Sequence, residues 1–395
     1  MIPLAEAQAI LAQDLSPLPA IAVGLDQACG KILAEPVRAA LTQPPFAASA
    51  MDGYAVRSAD LGDTVSLRLI GEAAAGHAFD GKIGPGEAVR ISTGAVVPDG
   101  ADQVVIQENT QCHGDRVSTD QPAGAGQHIR RAGQDFEAGQ VLLEAGHRLT
   151  PDALALIAAA GHDRVPVSRT PRIGVLASGD ELVEPGETPA PGQIVNSITS
   201  GLMALIRQWG GEPVYLGIAR DTEADIATKL DAAPALDLLV PVGGASVGEH
   251  DHMRRVIVSR GGYIRFAKIA VRPGKPTWFA RLPEGQPALI GLPGNPVSAL
   301  VMARLILRPA LQTLRGETAQ TSRIRVNLGS EMAPNGDRET YVRGVWNDQD
   351  GIVTALSRQD SAILTTLVTA NALIRRPVGA EAAQAGDQVE IIPLD

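Results

Sequence analysis

Cysteine is nearly absent: Cys29 and Cys112 are the only two in 395 residues. They have no CxxC spacing and are too few for a disulfide framework, so a reducing, cytoplasmic setting is expected. No stretch approaches the roughly 18 consecutive apolar residues of a membrane span. The start, Met1 to Glu6, has neither the basic nor the apolar region of a signal peptide. Positive charge is also short. The formal net charge is −10, which argues against broad binding to nucleic acid or to an anionic membrane. Any anionic ligand must then be met by a local cluster of cations. Lysine is the scarcer cation, with only five among the 34 basic residues, yet Lys268 and Lys275 stand close together. A compact ammonium is therefore wanted there rather than any positive charge, unless the placement is chance on a solvated strand.

The length suits two to four domains. Residues 3–13 have helical spacing, and Pro17 and Pro19 end that helix. From Ile21 to about Gln140 the segments are short, rich in Val and Ile, and broken by Gly and Pro, which predicts a β-rich unit. Thr150 before Pro151 has the pattern of a helix cap and first turn. The helix expected over 150–160 is read as packing back on the N-terminal helix, making the β-rich part an insertion. Arg172 opens a different texture. Strands ending at Ser178, Ile218 and Val242 alternate with helices over 197–209 and 222–230, and a long helix runs from Pro296 to about Leu314. That alternation predicts βαβ units and a parallel sheet. Pro241 is a misfit in an apparently central strand, because it cannot donate to the ladder. From Arg323 on, β-type segments return as a small all-β unit. The expected partition is 1–25 with 141–170, then 26–140, 171–320 and 321–395.

Three strand ends deliver Gly-rich loops to one sheet edge, where open α/β folds bind ligands. One constellation there is acidic. Asp180 and Glu181 follow one strand, Asp221 the next, and Glu249 and Asp251 a third. Converging carboxylates repel unless a cation joins them, and a hard oxygen shell suits Mg²⁺. The plainer reading makes some of them helix caps, Asp251 above all. His250 and His252, two apart, point to opposite sides of an extended chain and do not read as a zinc pair. The other constellation binds anions. Asn295 and Pro296 start a helix whose free N–H groups are expected to face a ligand, with Gly294 allowing close approach. Gly243, Gly244, Ser246 and Gly248 form a second glycine-opened loop, and Lys268, Arg272 and Lys275 stand nearby. Metal beside anion pocket is the layout of phosphate-ester chemistry.

Several motifs together resemble the molybdopterin molybdenumtransferase family (MoeA type), whose animal relative is the gephyrin E domain. They are Ser49-Ala50-Met51-Asp52-Gly53-Tyr54-Ala55, Ser92-Thr93-Gly94-Ala95, Ser178-Gly179-Asp180-Glu181-Leu182 and the Gly243–Asp251 loop. Pro273-Gly274-Lys275-Pro276, Gly291-Leu292-Pro293-Gly294-Asn295-Pro296-Val297-Ser298, Arg343-Gly344-Val345 and Gln359-Asp360-Ser361 complete the set, so the resemblance spans essentially the whole chain. It implies a multidomain α/β plus β fold. Its centre is a three-layer α/β domain with a mostly parallel, MogA/MoaB-like sheet, joined by an inserted β-rich N-terminal domain and a small C-terminal β-barrel-like domain.

The resemblance also implies a homodimer that takes adenylylated molybdopterin from a molybdopterin adenylyltransferase. With molybdate and Mg²⁺ it would cleave the phosphoanhydride, release AMP and leave molybdenum on the dithiolene. By the same resemblance, functional positions fall on Asp52, Thr93, Asp135, Glu181, Asp221, Asp251, Lys268, Lys275, Arg343 and Ser361. Mg²⁺ is then expected between Glu181, Asp221 and Asp251, and molybdate on Arg272, Lys275, Arg343 and Ser361 beside Pro276. Asp52, Thr93 and the C-terminal residues, Arg343 and Ser361, are expected from across the dimer or from neighbouring domains. Three departures from the family pattern stand out: Arg272 for a usual Lys, Pro241-Val242 for a hydroxyl pair, and Asp360 for a usual Gly. They leave room for a changed metal preference. Two other readings are open. A molybdopterin adenylyltransferase is opposed by the Asp52 motif and the C-terminal β unit, and a non-catalytic scaffold of the gephyrin type by the intact carboxylate set.

Overall fold

The computed structural model describes residues 1–243, 252–317 and 323–394. Helix Leu4–Asp14 buries Leu4, Ala7 and Leu11. These side chains join the core of the α/β unit, which also holds Leu311 and Leu314 of the long helix. The expectation that this helix meets the one over 150–160 is thereby corrected. Helix Pro151–Ala159 buries Ala153 and Ile157 in a separate cluster with Ala28, Leu33, Val165 and Val167. Amphipathic spacing shows that a helix has a face to bury, not which surface receives it. The cap itself forms as expected, with the Thr150 side chain accepting the Ala153 N–H at 3.1 Å.

Strand Ala20–Gly24 pairs antiparallel with Arg164–Ser168, so the chain departs and returns at one place. Between them lies a six-stranded, mainly antiparallel sheet that includes Gly53–Val56, Val65–Ala73, Glu87–Ile91 and Gln103–Ile106. A second six-stranded sheet runs in the order Glu212–Ala219, Arg172–Ser178, Leu238–Gly243, Ala288–Gly291, Trp278–Arg281, Tyr263–Phe266. Its first four strands are parallel, Trp278–Arg281 runs antiparallel to them, and Tyr263–Phe266 runs antiparallel to Trp278–Arg281. Successive side chains alternate between two covered faces, as continuous apolar runs require. Val175 and Val240 meet helices Ile198–Gln208 and Pro296–Met302, while Leu176 and Leu239 meet Ile226 and Val256 of the opposite helices. The result is three layers.

Pro241 is accommodated locally. The ladder to Ala288–Gly291 holds at Leu238 and Leu239, lapses, and resumes as a single bridge at Val242. The missing N–H therefore coincides with the gap, while the Pro241 carbonyl still accepts the Leu292 N–H at 2.9 Å. The helix Pro296–Leu314 has 19 residues and is long and apolar enough by composition to cross a bilayer, but 67 % of its most apolar 18-residue stretch is buried within the molecule. Its middle, Ala303–Leu307, widens into a π turn.

The last unit is a closed barrel. Glu339–Asn347, Ile352–Ala355, Ile324–Leu328, Gln388–Pro393 and Ala372–Arg376 follow one another, and the last strand pairs back to the first. Closure leaves no open sheet edge. Val326, Val353, Ile374 and Ile391 fill the interior, whereas Tyr341, Leu373 and Ile392 face outward into the core of the α/β unit. The short strand Val271–Arg272 leaves the α/β unit and pairs parallel with Glu339–Asn347, setting Arg272 beside Thr340. That seam brings the Pro273–Pro276 turn onto the barrel.

Candidate functional site

A cavity of about 540 Å³ opens along this seam. One wall is Arg272 to Pro276 with Asn295 and Ser298; the other is Arg338, Thr340, Arg343, Asp360 and Ser361. Four cations, Arg272, Lys275, Arg338 and Arg343, thus face one carboxylate, Asp360, in a chain whose net charge is −10. The turn that carries Lys275 is tightly seated. Gly274 has φ +115°, and a Cβ there would stand 2.2 Å from Met302 Cγ, so only glycine lets the turn lie on the long helix.

Arg343 is the most telling member. It is 1 % exposed, on a strand whose outer face is covered by the α/β unit. Its Nη2 donates to the carbonyls of Arg358 at 3.3 Å and Asp360 at 3.2 Å. Its Nε has no partner, and among the described residues no carboxylate pairs with it. Burial pushes the guanidinium below its ordinary pKa, partly opposed by the Asp360 charge, yet an arginine so shifted stays protonated near neutrality. A buried cation balanced only by neutral carbonyls is costly on its own and favours an anion in the adjoining cavity.

The loop opposite is fastened at three points. The Gln359 side chain accepts the Arg343 N–H at 3.0 Å and donates to the Arg343 carbonyl at 3.0 Å and the Leu356 carbonyl at 2.7 Å. Asp360 Oδ1 accepts the Ala362 N–H at 2.8 Å. The Ser361 carbonyl accepts the Val297 N–H at 3.0 Å. This last bond takes one N–H of the helix start that the sequence leaves open for a ligand. Pro296 lacks a donor, the Val297 N–H is taken, and the Asn295 side chain makes no cap bond. The helix terminus thereby positions Ser361, and Asn295 and Ser298 of the same terminus line the cavity.

The acidic residues gather at the neighbouring strand ends. Ser178 Oγ donates to Asp221 Oδ1 at 2.9 Å, and the Asp221 N–H donates to Asp180 Oδ1 at 3.2 Å. The Glu181 carboxylate lies over Gly179, where an added Cβ would meet its Oε2 at 2.5 Å. Gly243 has φ +89° and closes on the Ser178 carbonyl, and the position of a Gly294 Cβ lies 3.5 Å from Gly243 Cα. Three strand ends therefore converge as the loops predict. Hard oxygen donors of this kind fit Mg²⁺. Among the described residues no three His, Cys, Asp or Glu side chains form a metal-binding group. Gly244, Ser246, Gly248 and Asp251 lie outside the described residues.

Other expected site residues are elsewhere. Lys268 is not a lining residue of the cavity; its carbonyl accepts the Ile2 N–H at 3.1 Å. Asp52 and Thr93 meet each other in the β-rich unit. The Thr93 N–H and Oγ both donate to Asp52 Oδ1, at 2.6 and 2.9 Å, and these two bonds hold the Asp52 carboxyl below its ordinary pKa. Neither lines the cavity, and Asp135 is exposed on the same unit. Arg338 and Thr340 were not expected in the site. The one signal for them is their place just after a Gly-Asp turn, before the strand that reaches the seam.

Comparison with known proteins agrees with this architecture. Residues 2–161 match the family described as the MoeA N-terminal region (domain I and II). Residues 174–313 match the probable molybdopterin binding domain, and 325–394 the MoeA C-terminal region (domain IV). The chain is 36 % identical to the molybdopterin molybdenumtransferase of Nostoc sp., over 94 % of this chain and 88 % of that protein. It is 35 % identical to that of Haemophilus influenzae, over 94 % and 93 %. A crystal structure of a molybdopterin biosynthesis MoeA protein from Pyrococcus horikoshii superposes with a TM-score of 0.86 at 30 % identity, covering 100 % of this chain and 99 % of that one.

Proposed function

Because the chain belongs to the molybdopterin molybdenumtransferase family, we propose that it is a transferase of molybdenum cofactor biosynthesis that inserts molybdenum from molybdate into adenylylated molybdopterin with release of AMP. The observation that carries this reading is the seam cavity with its buried, carboxylate-free Arg343. Molybdate is a tetrahedral dianion, and it is held by Arg272, Lys275, Arg343 and the Ser361 hydroxyl. Two planar guanidinium forks and one compact ammonium donate to it from several directions.

The phosphate part of the pterin substrate is assigned to the Gly243–Asp251 loop and the neighbouring Gly294-Asn295 turn. Glu181 and Asp221, with Asp251, hold Mg²⁺, and Ser178 orients the Asp221 carboxylate. When bound, Mg²⁺ neutralises pyrophosphate charge and lowers the pKa of an attacking water. Asp52 and Thr93, which do not line the cavity of their own chain, are assigned to the site of a second subunit in a homodimer on the family resemblance alone. We assign the enzyme to the cytoplasm, with a molybdopterin adenylyltransferase as substrate donor and no role for nucleic acid or membrane. Incubation with adenylylated molybdopterin, Mg²⁺ and molybdate tests the reading: AMP and finished cofactor appear together. AMP without molybdenum transfer, or neither product, refutes it.

A further inference from the structure

Two cations of the seam cavity stand at one end of its ladder. Arg272 pairs with Thr340 of the barrel strand Glu339–Asn347, and Arg338 immediately precedes that strand. Both line the cavity. Among the described residues no carboxylate lies within ion-pair distance of Arg272, and Arg338 has one, its neighbour Asp337. That carboxylate is 3.9 Å away on a side chain 89 % exposed. The separation is too long for a hydrogen bond, and such a pair contributes little in water. Two guanidinium groups on one stretch of wall repel each other, and an anion shared between them offsets the repulsion.

The backbone under Arg338 is anchored while its guanidinium is left over. The Asn335 amide donates to the carbonyls of Arg338 at 2.8 Å, Arg376 at 2.9 Å and Pro377 at 2.6 Å, and its Oδ1 accepts the Thr340 hydroxyl at 2.8 Å. The same hydroxyl reaches the Arg338 carbonyl at 3.3 Å. One amide therefore ties the turn before the strand to the end of the strand Ala372–Arg376, and so fixes where Arg338 leaves the chain. A donor whose backbone is already ordered loses less freedom when it closes on a ligand. The Arg338 side chain is 31 % exposed, whereas Arg343 is 1 % exposed. Arg338 thus marks the open end of the cavity and Arg343 the deep end. In a chain of net charge −10, an incoming anion needs a local cation at the open end.

From this geometry we propose that Arg338 is a further substrate-binding residue of the seam cavity: with Arg272 it holds the oxyanion from the open side, and Asn335 positions it there. The inference rests on the molybdate reading above. Molybdate is titrated calorimetrically into the full-length wild type and into Arg338→Ala, Arg338→Lys, Arg343→Met and Arg325→Ala. Arg325 is exposed on the strand Ile324–Leu328 and does not line the cavity, so its variant controls for net charge. Arg338→Ala keeps the carbonyl that Asn335 and Thr340 hold, so the unliganded melting midpoint should stay in place. It is expected to weaken molybdate binding about tenfold or more, the scale of one charge-assisted contact. Arg338→Lys keeps the charge without the fork and should recover part of the loss, and Arg325→Ala should bind as the wild type does. The proposal is overturned by unchanged affinity in Arg338→Ala, whether or not its midpoint falls, or by an equal loss in Arg325→Ala. In those cases a loss in Arg343→Met leaves the molybdate reading standing. No binding to the wild type up to about 10 mM overturns both. Molybdate held through Arg338 without AMP release from the pterin substrate overturns the proposed reaction alone.

Discussion

Replacing Arg343 by Met separates what the buried charge does for the fold from what it does for a ligand. In the free protein the guanidinium makes two hydrogen bonds to carbonyls and has no carboxylate partner among the described residues. Methionine of similar length loses those two bonds but also removes a desolvated charge, and such exchanges are often close to neutral. The unliganded melting midpoint should therefore move by no more than a few degrees either way, corresponding to about 1–2 kcal/mol. Molybdate affinity should fall much further, by about ten- to hundredfold, because one charge-assisted contact contributes roughly 1.5–3 kcal/mol. Linkage turns this into a thermal assay. At a molybdate concentration 100 times the wild-type Kd the ligand stabilises the wild type by about 2.7 kcal/mol, and a variant binding a hundredfold more weakly by only about 0.4 kcal/mol. Scanning calorimetry with and without molybdate measures both. Equal molybdate-induced stabilisation in wild type and variant would refute the assignment of Arg343 to the oxyanion, however the unliganded proteins compare.

Lys275→Ala should raise the molybdate concentration needed for half-maximal turnover about ten- to hundredfold, with a much smaller loss for the pterin substrate. Equal losses in reciprocal titrations would move Lys275 to the phosphate site. Asp221→Asn keeps an oxygen for the Ser178 hydroxyl and lies on an exposed loop. It should change stability by under about 1 kcal/mol while AMP release drops at least about tenfold; wild-type turnover would remove Asp221 from the metal site. Asp52 has a depressed folded pKa, so its contribution to stability is present above the unfolded carboxyl value and lost as pH falls through the lower folded one. Thr93→Val removes the hydroxyl donor and leaves the stronger backbone donor, so the Asp52 midpoint, followed by carboxyl-carbon NMR, should rise part of the way to the ordinary value; an unmoved midpoint contradicts the bond. Gly274→Ala meets Met302 at a positive φ and should cost roughly 1–3 kcal/mol, read as a lowered denaturation midpoint and weakened molybdate binding together. An unchanged midpoint would mean that the turn tolerates a side chain.

The α/β unit was largely legible because its signals are local. Apolar runs act within a few residues, as does the Thr150-Pro151 cap in the neighbouring unit, and convergence of Ser178, Gly243 and Gly294 follows from parallel topology. Arg343 was invisible to this kind of reasoning and was reached only through the family resemblance. At an outward position of a small barrel strand, an arginine reads as solvent-facing. It becomes buried because a second unit covers that face, and no periodicity within the strand encodes the neighbour. The same blindness explains the N-terminal helix, whose apolar stripe was read correctly and given the wrong partner. It also explains the long helix start, where a carbonyl from the barrel loop takes an N–H that sequence alone leaves open for a ligand.

The seam has a mechanical meaning. Tyr341, Leu373 and Ile392 of the barrel belong to the same continuous core as Val175, Val240 and the first helix, and a β ladder joins Arg272 to Thr340 across the boundary. Separating the two walls would expose that core and break the ladder, so the jaws around the cavity behave as a caliper of fixed gap. A fixed gap spends no binding energy on closure, which leaves more of each contact visible as affinity. Under the function proposed, tetrahedral oxyanions would then be sorted by how well their radius and hydration suit an aperture set at folding, rather than by a wall that adjusts to each one.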